Sequence, residues 1–276
     1  MPELPEVEVV RKGLALHLTG RTITHIRSDG KSLRRPVPLA LMEHHLPGAR
    51  ITGVKRRAKF LLVELESRAV LIIHLGMTGK LGLFSRNKPD MKHDHVALLL
   101  ENGLELRFND VRRFGSMALL LPEEISTMEE TFFKRTGPEP FDALFNADYL
   151  REKASGRSQP VKIFIMDSSV VAGIGNIYAN ESLFASGIRP GRSIGSISRK
   201  KWQNLIDEIR AVLTKAIGCG GSTISDFIGT SGERGYFQVN FAVYGRTGQD
   251  CPRCSGVIRQ VRLGGRSSFF CPRCQR

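Results

Sequence analysis

The chain has 276 residues, with 41 lysines and arginines against 27 acids, a formal charge of +14 and 5 cysteines. That length accommodates two domains at the usual ~100–200 residues each. With no run of about 18 apolar residues and no signal-like leader, a soluble, unexported, cytoplasmic protein is expected. A positive surplus of this size repels itself in a compact fold unless a polyanion offsets it, so nucleic acid is the favoured partner. The alternatives are an anionic membrane surface, for which the chain lacks a basic amphipathic helix, and a ribosomal-type structural role.

Pro2 follows the initiator Met, so trimming by an aminopeptidase leaves a secondary amine at the N-terminus beside Glu3, with Glu6 three residues on. Pro5 suits a first helical turn, and Val7, Val10 and Leu14 form an apolar stripe behind it. The positive end of a helix dipole disfavours protonation, and a terminal amine already titrates near neutrality. Such an amine can attack a sugar carbon and form an iminium, and a proline iminium is permanently cationic. The plain alternative is that Pro and Glu are simply common at a helix start.

From residue 21 to 121 the pattern is short β-rich runs: Ile23 to Arg27, Ala49 to Val54, Phe60 to Leu65, Val70 to Leu75, His95 to Leu100, Leu104 to Phe108 and Ser116 to Leu121. Asn102-Gly103 marks a hairpin, and strands without intervening helices predict an antiparallel sandwich or barrel. An acidic stretch, Glu123 to Glu130, and two prolines in 134–140 then suit a linker. Helices are expected from Asp148 to Lys153, from Ile177 to Ala185, and after Ser198, where Trp202, Leu205, Ile206, Ile209, Leu213 and Ile217 keep a helical period until Gly218.

Four cysteines fall in the last 26 residues as Cys251-x-x-Cys254 and Cys271-x-x-Cys274, separated by 16 residues. This spacing predicts one structural zinc held by four thiolates. Seven arginines from Arg246 onward face a single acid, Asp250, so the ribbon is itself a polyanion-binding module. Cys219 is read as a small packing residue.

Together, Pro2-Glu-Leu-Pro-Glu-Val-Glu, Arg57-Ala-Lys-Phe, His74-Leu-Gly-Met-Thr-Gly, Lys92-His-Asp-His, Asp110-Val-Arg-Arg-Phe-Gly, Gly173-Ile-Gly-Asn-Ile-Tyr-Ala and the terminal ribbon resemble the formamidopyrimidine-DNA glycosylase and endonuclease VIII family of base-excision repair enzymes. The resemblance spans essentially the whole chain. It implies an α+β protein: an N-terminal antiparallel β-sandwich with a flanking helix over 1–133, a linker over 134–141, a helix-two-turn-helix domain over 142–240 and a four-cysteine zinc ribbon over 241–276. Leu4, where the endonuclease VIII branch typically has Gly, points to the formamidopyrimidine branch. So does the segment 229–237, which resembles the loop that closes over an everted oxidised purine.

The resemblance also implies roles. Pro2 attacks the deoxyribose anomeric carbon, Glu3 handles protons at the sugar ring oxygen and during elimination, Glu6 supports the site, and Lys59 sits near the lesion and its phosphate. For Glu6 the alternative is a helix-start acid, and for the run Lys55 to Lys59 a solvated strand end. Met77, Arg112 and Phe114 match the residues that fill the space left by an everted nucleotide; taken alone, Met77 and Phe114 read as core and Arg112 or Arg113 as a phosphate contact. His74, His93, Arg157, Lys162, Asn176 and Arg266 complete the expected DNA-binding set. Asn176 lies at a turn before a helix, where backbone amides favour an anion, and Arg157 replaces a position often held by Lys. Arg266 acts in the second elimination or in binding alone. Strand alternation is expected to put one of His93 and His95 on DNA and the other inside, against a metal pair. The implied activity is removal of 8-oxoguanine and formamidopyrimidines from duplex DNA, with abasic-site cleavage by β,δ-elimination, by a monomer associated with a bacterial nucleoid. Endonuclease VIII specificity for oxidised pyrimidines and a non-catalytic DNA-binding zinc-ribbon protein are the alternatives.

Overall fold

A computed structural model describes residues 2–220, 227–228 and 241–276. The chain divides into two compact units, Met1–Lys134 with Cys219–Gln238, and Arg135–Gly218 with Val239–Arg276.

The first unit opens with α1 (Leu4–Leu18), whose apolar residues recur at helical spacing, so Leu4, Val7, Val10, Leu14 and Leu18 are all buried on one stripe. Two sheets follow. One pairs β2 (Ile51–Arg57), β3 (Phe60–Leu65), β4 (Val70–His74) and β8 (Ser116–Leu120) in that order; the other runs β1 (Ile23–Ser28), β6 (Asp94–Leu100), β7 (Leu104–Asp110), β5 (Gly79–Ser85) and β9 (Phe227–Ile228). All pairings are antiparallel except the two-residue contact of β9 with β5. The facing sides share one core with α1, in which Leu61, Val63, Leu71 and Ile73 meet Leu81, Leu83, Leu98 and Phe108. The far side of the four-stranded sheet is also covered: Leu62, Val70 and Ile72 pack on Phe133. Burial on both faces is why β3 and β4 read as continuous apolar runs rather than as alternation.

Two elements correct the sequence reading. A helix, α2 (Leu39–His45), stands between β1 and β2, where no intervening helix was expected. Strand β5 was missed because Gly79 and Gly82 weaken its strand signal, yet the tight space requires Gly79: a Cβ there would lie 2.2 Å from the Leu75 carbonyl oxygen. The acidic stretch forms two short helices, α3 (Pro122–Ile125) and α4 (Met128–Thr131).

The second unit contains α5 (Ala147–Ala154), α6 (Val161–Met166), α7 (Asn176–Ala185) and α8 (Arg199–Gly218). Asn146 caps α5 by accepting the Asp148 and Tyr149 backbone N–H groups. Along α8, Trp202, Leu205, Ile206, Ile209 and Leu213 are buried against Phe145, Leu150, Phe164 and Tyr178; the stripe closes on Ala216 rather than on the expected Ile217, which is partly exposed. A hairpin of β10 (Arg259–Leu263) and β11 (Arg266–Phe270) ends the chain.

Candidate functional site

Pro2 is buried, and Glu3 and Glu6 are each 2% exposed. Glu6 Oε2 reaches back over the start of α1 and accepts the Glu3 backbone N–H at 2.8 Å. This bond joins the two readings of Glu6, because the helix-start acid is also the group that fixes the backbone beside Pro2. The signal was present in the sequence as Glu3-x-x-Glu6.

Lys59 lies in the two-residue turn between β2 and β3, where Arg57 pairs with Phe60 and Ala58 takes a positive φ of 53°. The next register position brings Phe60 opposite His74, and their rings lie 4.7 Å apart. Burial pushes His74 down to about 4, and the charges of Lys59 and Arg34 add to the shift. Its Nδ1 accepts the Gly76 N–H at 3.1 Å, so the neutral ring carries its proton on Nε2 and presents a donor. His74 also lines a cavity of about 300 Å³ with Arg34, Arg35, Phe60, Ser116 and Phe132. The two arginines were not singled out from the sequence; the pair Arg34-Arg35 ahead of Pro36 was the available signal.

Met77 and Phe114 are 40% and 43% exposed, which rules out the core reading for both. They sit on two loops, 75–78 and 111–115, whose backbones touch. Gly76 has φ +65°, and a Cβ on it would come within 2.4 Å of Phe114 C and Gly115 N. Asp110, fully buried, joins the loops by accepting the Gly115 N–H at 2.7 Å on Oδ2 and the Thr78 hydroxyl on Oδ1. Thr78 Oγ1 in turn accepts the Arg112 N–H at 3.0 Å, and the Arg112 guanidinium lies over the Phe114 ring, 4.5 Å from its centroid. An exposed aromatic, an exposed methionine and an arginine are thus presented together on rigid backbone, the equipment for entering a base stack.

Residues i and i+2 of a regular strand share a face, so alternation cannot separate His93 from His95, and that reasoning is corrected. They do differ: His95 is 2% exposed on β6, whereas His93, just before the strand, is partly exposed with φ +77°. Their rings still lie near one another, 6.2 Å between centroids, so what separates the two is burial rather than the face of the strand.

In the second unit, Asn176 is the first residue of α7, and its Oδ1 is buried without a hydrogen-bond partner. Arg157 and Arg266 are exposed, the latter opening β11 opposite Leu263. Lys162 differs from expectation. It is 1% exposed, and its ammonium donates to the Ser267 carbonyl and to Ser268 Oγ, both at 2.7 Å. A cation spent inside the protein on β11 does not grip phosphate, so the DNA-binding role expected of Lys162 is replaced by a structural one. Two further buried groups, unseen from the sequence, hold the same hairpin region: Asn180 Oδ1 accepts the Phe269 N–H at 2.8 Å, and the Glu181 carboxylate accepts three backbone N–H groups, of Ala242, Val243 and Tyr244, at 2.8–3.0 Å.

The sulfurs of Cys251, Cys254, Cys271 and Cys274 lie within 4.8 Å of one another, with Cys251–Cys274 at 3.8 Å and Cys254–Cys271 at 3.5 Å. Tetrahedral zinc with Zn–S bonds of about 2.3 Å requires sulfurs about 3.8 Å apart, so the cluster fits one zinc ion. Against its burial, hydrogen bonds from the Cys274 and Arg273 backbone bring the Cys271 thiol down to about 7, while burial and the neighbouring cysteines push Cys274 up to about 12, because one thiolate among four crowded sulfurs disfavours the next.

Family models match in chain order: the formamidopyrimidine-DNA glycosylase N-terminal domain over residues 1–117, its H2TH domain over 136–228, and a zinc finger found in FPG and IleRS over 248–276. A formamidopyrimidine-DNA glycosylase of Hahella chejuensis is 47% identical over 276 residues, covering all of both chains. Among solved structures, the wild-type Lactococcus lactis enzyme in complex with DNA containing N7-benzyl-Fapy-dG superposes with TM-score 0.90 at 34% identity, covering both chains completely. The Lactococcus lactis enzyme with abasic-site DNA gives TM-score 0.89 at 33% identity over 99% of each chain. Fold and matches define a zinc-ribbon DNA glycosylase, and within that class the chain belongs to the formamidopyrimidine-DNA glycosylase family.

Proposed function

We propose that the protein is a bifunctional base-excision repair enzyme that removes 8-oxoguanine and formamidopyrimidines from duplex DNA and then cleaves the resulting abasic site. The observation that carries this reading is the buried Pro2-Glu3 junction, its backbone held by the Glu6 carboxylate, in the same unit as the exposed Met77, Arg112 and Phe114. A protein that only bound DNA would gain nothing from a secondary amine beside a held carboxylate.

In the mature chain, the Pro2 nitrogen bonds to the deoxyribose anomeric carbon as the glycosidic bond breaks and the damaged base departs. Glu3 takes the proton that the Pro2 nitrogen sheds and delivers it to the ring oxygen, and breaking the C1′–O4′ bond leaves the iminium. Loss of a C2′ proton then expels the 3′ phosphate, and a second elimination expels the 5′ phosphate. Proton transfer by a placed carboxylate contributes roughly 10²–10⁴-fold. Lys59 and the neutral His74 donate to the backbone near the lesion, and His93, Arg157, Asn176 and Arg266 bind other phosphates. Eversion costs a few kcal/mol; Phe114 wedges a base step, Met77 occupies the vacated space and Arg112 bonds the orphaned base. Cys251, Cys254, Cys271 and Cys274 would hold zinc through four thiolates, which would brace the hairpin that carries Arg266 and would supply no chemistry.

The working division is a catalytic sandwich over 1–133, a linker over 134–141, a helix-two-turn-helix domain over 142–240 and a zinc domain over 241–276. The loop assigned to 229–237 lies outside the described residues. We place the protein in the cytoplasm, on the nucleoid. The test is a lesion series in duplex DNA with product-end analysis. Cleavage at 8-oxoguanine that leaves phosphates on both ends supports the reading; cleavage confined to oxidised pyrimidines, or none on any lesion or abasic site, contradicts it.

A further inference from the structure

His95 takes no part in the roles assigned above, yet it is 2% exposed and both its ring nitrogens are engaged. Nδ1 lies 2.9 Å from Asp29 Oδ2, and Nε2 lies 2.9 Å from the Asp110 backbone oxygen. Both partners are oxygens at hydrogen-bonding distance, so the ring is held at each of its nitrogens. Burial works against the Asp29 charge, but the His95 hydrogen bond and the Lys31 backbone N–H and ammonium hold its carboxyl below the usual range. The bracing is mutual, because the Asp29 N–H donates to the His95 carbonyl at 3.1 Å.

We propose that His95, braced by Asp29, is a positioning residue for the base-reading loops: it fixes the Asp110 backbone, and Asp110 fixes the two loops that carry Met77, Arg112 and Phe114. The inference rests on the function proposed for those loops. The chain of bonds is continuous and largely buried. It runs from Asp29 through His95 to the Asp110 carbonyl, then from the Asp110 carboxylate to the Gly115 N–H and the Thr78 hydroxyl, and from Thr78 to the Arg112 N–H. The ladder between β6 and β7 already holds the strands, pairing Asp94 with Asn109. The two ring bonds add a constraint where β7 ends, at the root of the 111–115 loop. A shift of the order of 1 Å in a positioned group costs up to about 100-fold in rate.

The test compares His95→Gln and Asp29→Ala with the unsubstituted protein, each checked for zinc content and melting temperature. One substrate is a duplex with a single 8-oxoguanine opposite cytosine and a neighbouring 2-aminopurine that reports insertion. The other is a single-stranded oligonucleotide with an abasic site, trapped by borohydride, where no base must be everted and no partner base is orphaned. Single-turnover excision from the duplex should fall on the order of tenfold for His95→Gln and less for Asp29→Ala, with a delayed 2-aminopurine signal, while trapping on the single strand stays within about twofold. Equal losses on both substrates would assign His95 a merely structural role and overturn the proposal, as would unchanged duplex excision in both variants. If His95→Gln fails to fold, Asp29→Ala decides, since that side chain is 25% exposed and can be removed without opening the core. Failure of the unsubstituted protein to excise would instead defeat the function proposed above, and with it the role given to these loops.

Discussion

His74 shows how a few ångströms of packing decide a side chain's chemistry. On its own a histidine titrates near 6.5 and is half cationic close to neutrality. Here burial, then Lys59 and Arg34, hold it down to about 4, so the ring proposed to contact DNA is a neutral donor, with the charge left to Lys59. Its ring resonances should therefore stay constant between pH 8 and pH 5 in a two-dimensional NMR titration; a midpoint near 6.5 would contradict this environment. The linkage has a definite sign. Between about 6.5 and about 4 the unfolded chain binds a proton that the folded chain refuses, so the stability contributed by His74 is complete above that window and declines as pH falls through it. Lys162 makes the opposite point, a cation that looks like a phosphate ligand in the sequence and serves as an internal strut in the fold. Lys162→Met should leave the salt dependence of duplex binding unchanged while costing about 1–3 kcal/mol of stability, because the Ser267 carbonyl and Ser268 hydroxyl lose their donor. Arg157→Ala, by contrast, should lower the slope of log affinity against log salt by about 1 without lowering the melting temperature.

At the scale of elements, the two reading loops work only because glycines let their backbones meet. Gly76→Ala would force a side chain into a left-handed φ of +65° and against Phe114 and Gly115. The expected outcome is a loss of about 1–3 kcal/mol from the conformation, more from the clash, and duplex excision reduced further than single-strand trapping. Differential scanning calorimetry and single-turnover kinetics check the two halves of that statement. The sequence showed Phe60 to Leu65 as a strand with its limits correct, because the short apolar run Phe60, Leu61, Leu62 and Val63 is bounded by a turn and suits burial on both faces. It hid β5, whose Gly79 serves close packing, and it hid α2, whose pattern is too short to declare a period. For the site, chemistry-bearing motifs such as Pro2-Glu3 and the cysteine pairs were legible because their residue types and spacing are constrained by reaction and metal geometry. Lys162, Asp110 and His95 were not, because what a buried polar group does depends on partners many residues away: Lys162 meets Ser267, and His95 meets Asp29.

For the whole molecule, the charge of +14 and the zinc hairpin set the terms of binding. The helical core of the second unit, built on Trp202, Leu205, Ile206 and Ile209, forms a hydrophobic cluster separate from the one around Cys251, Cys271 and Phe269. Chelation of zinc should accordingly unfold the hairpin and weaken duplex affinity at moderate salt, while circular dichroism keeps most of its helical signal; complete loss of helix would contradict this separation. No helix among the described residues is long and apolar enough to cross a membrane, and the excess positive charge is instead suited to a phosphate backbone. The central claim is that Pro2 is a covalent nucleophile, and borohydride reduction of the mature, zinc-loaded protein on duplex DNA with one 8-oxoguanine opposite cytosine tests it directly. A trapped adduct whose peptide map places DNA on Pro2, lost from that nitrogen when Met1 is retained and makes it an amide although that protein still binds the duplex, is the predicted result. An adduct on any other residue, or excision without any trappable intermediate, would contradict it.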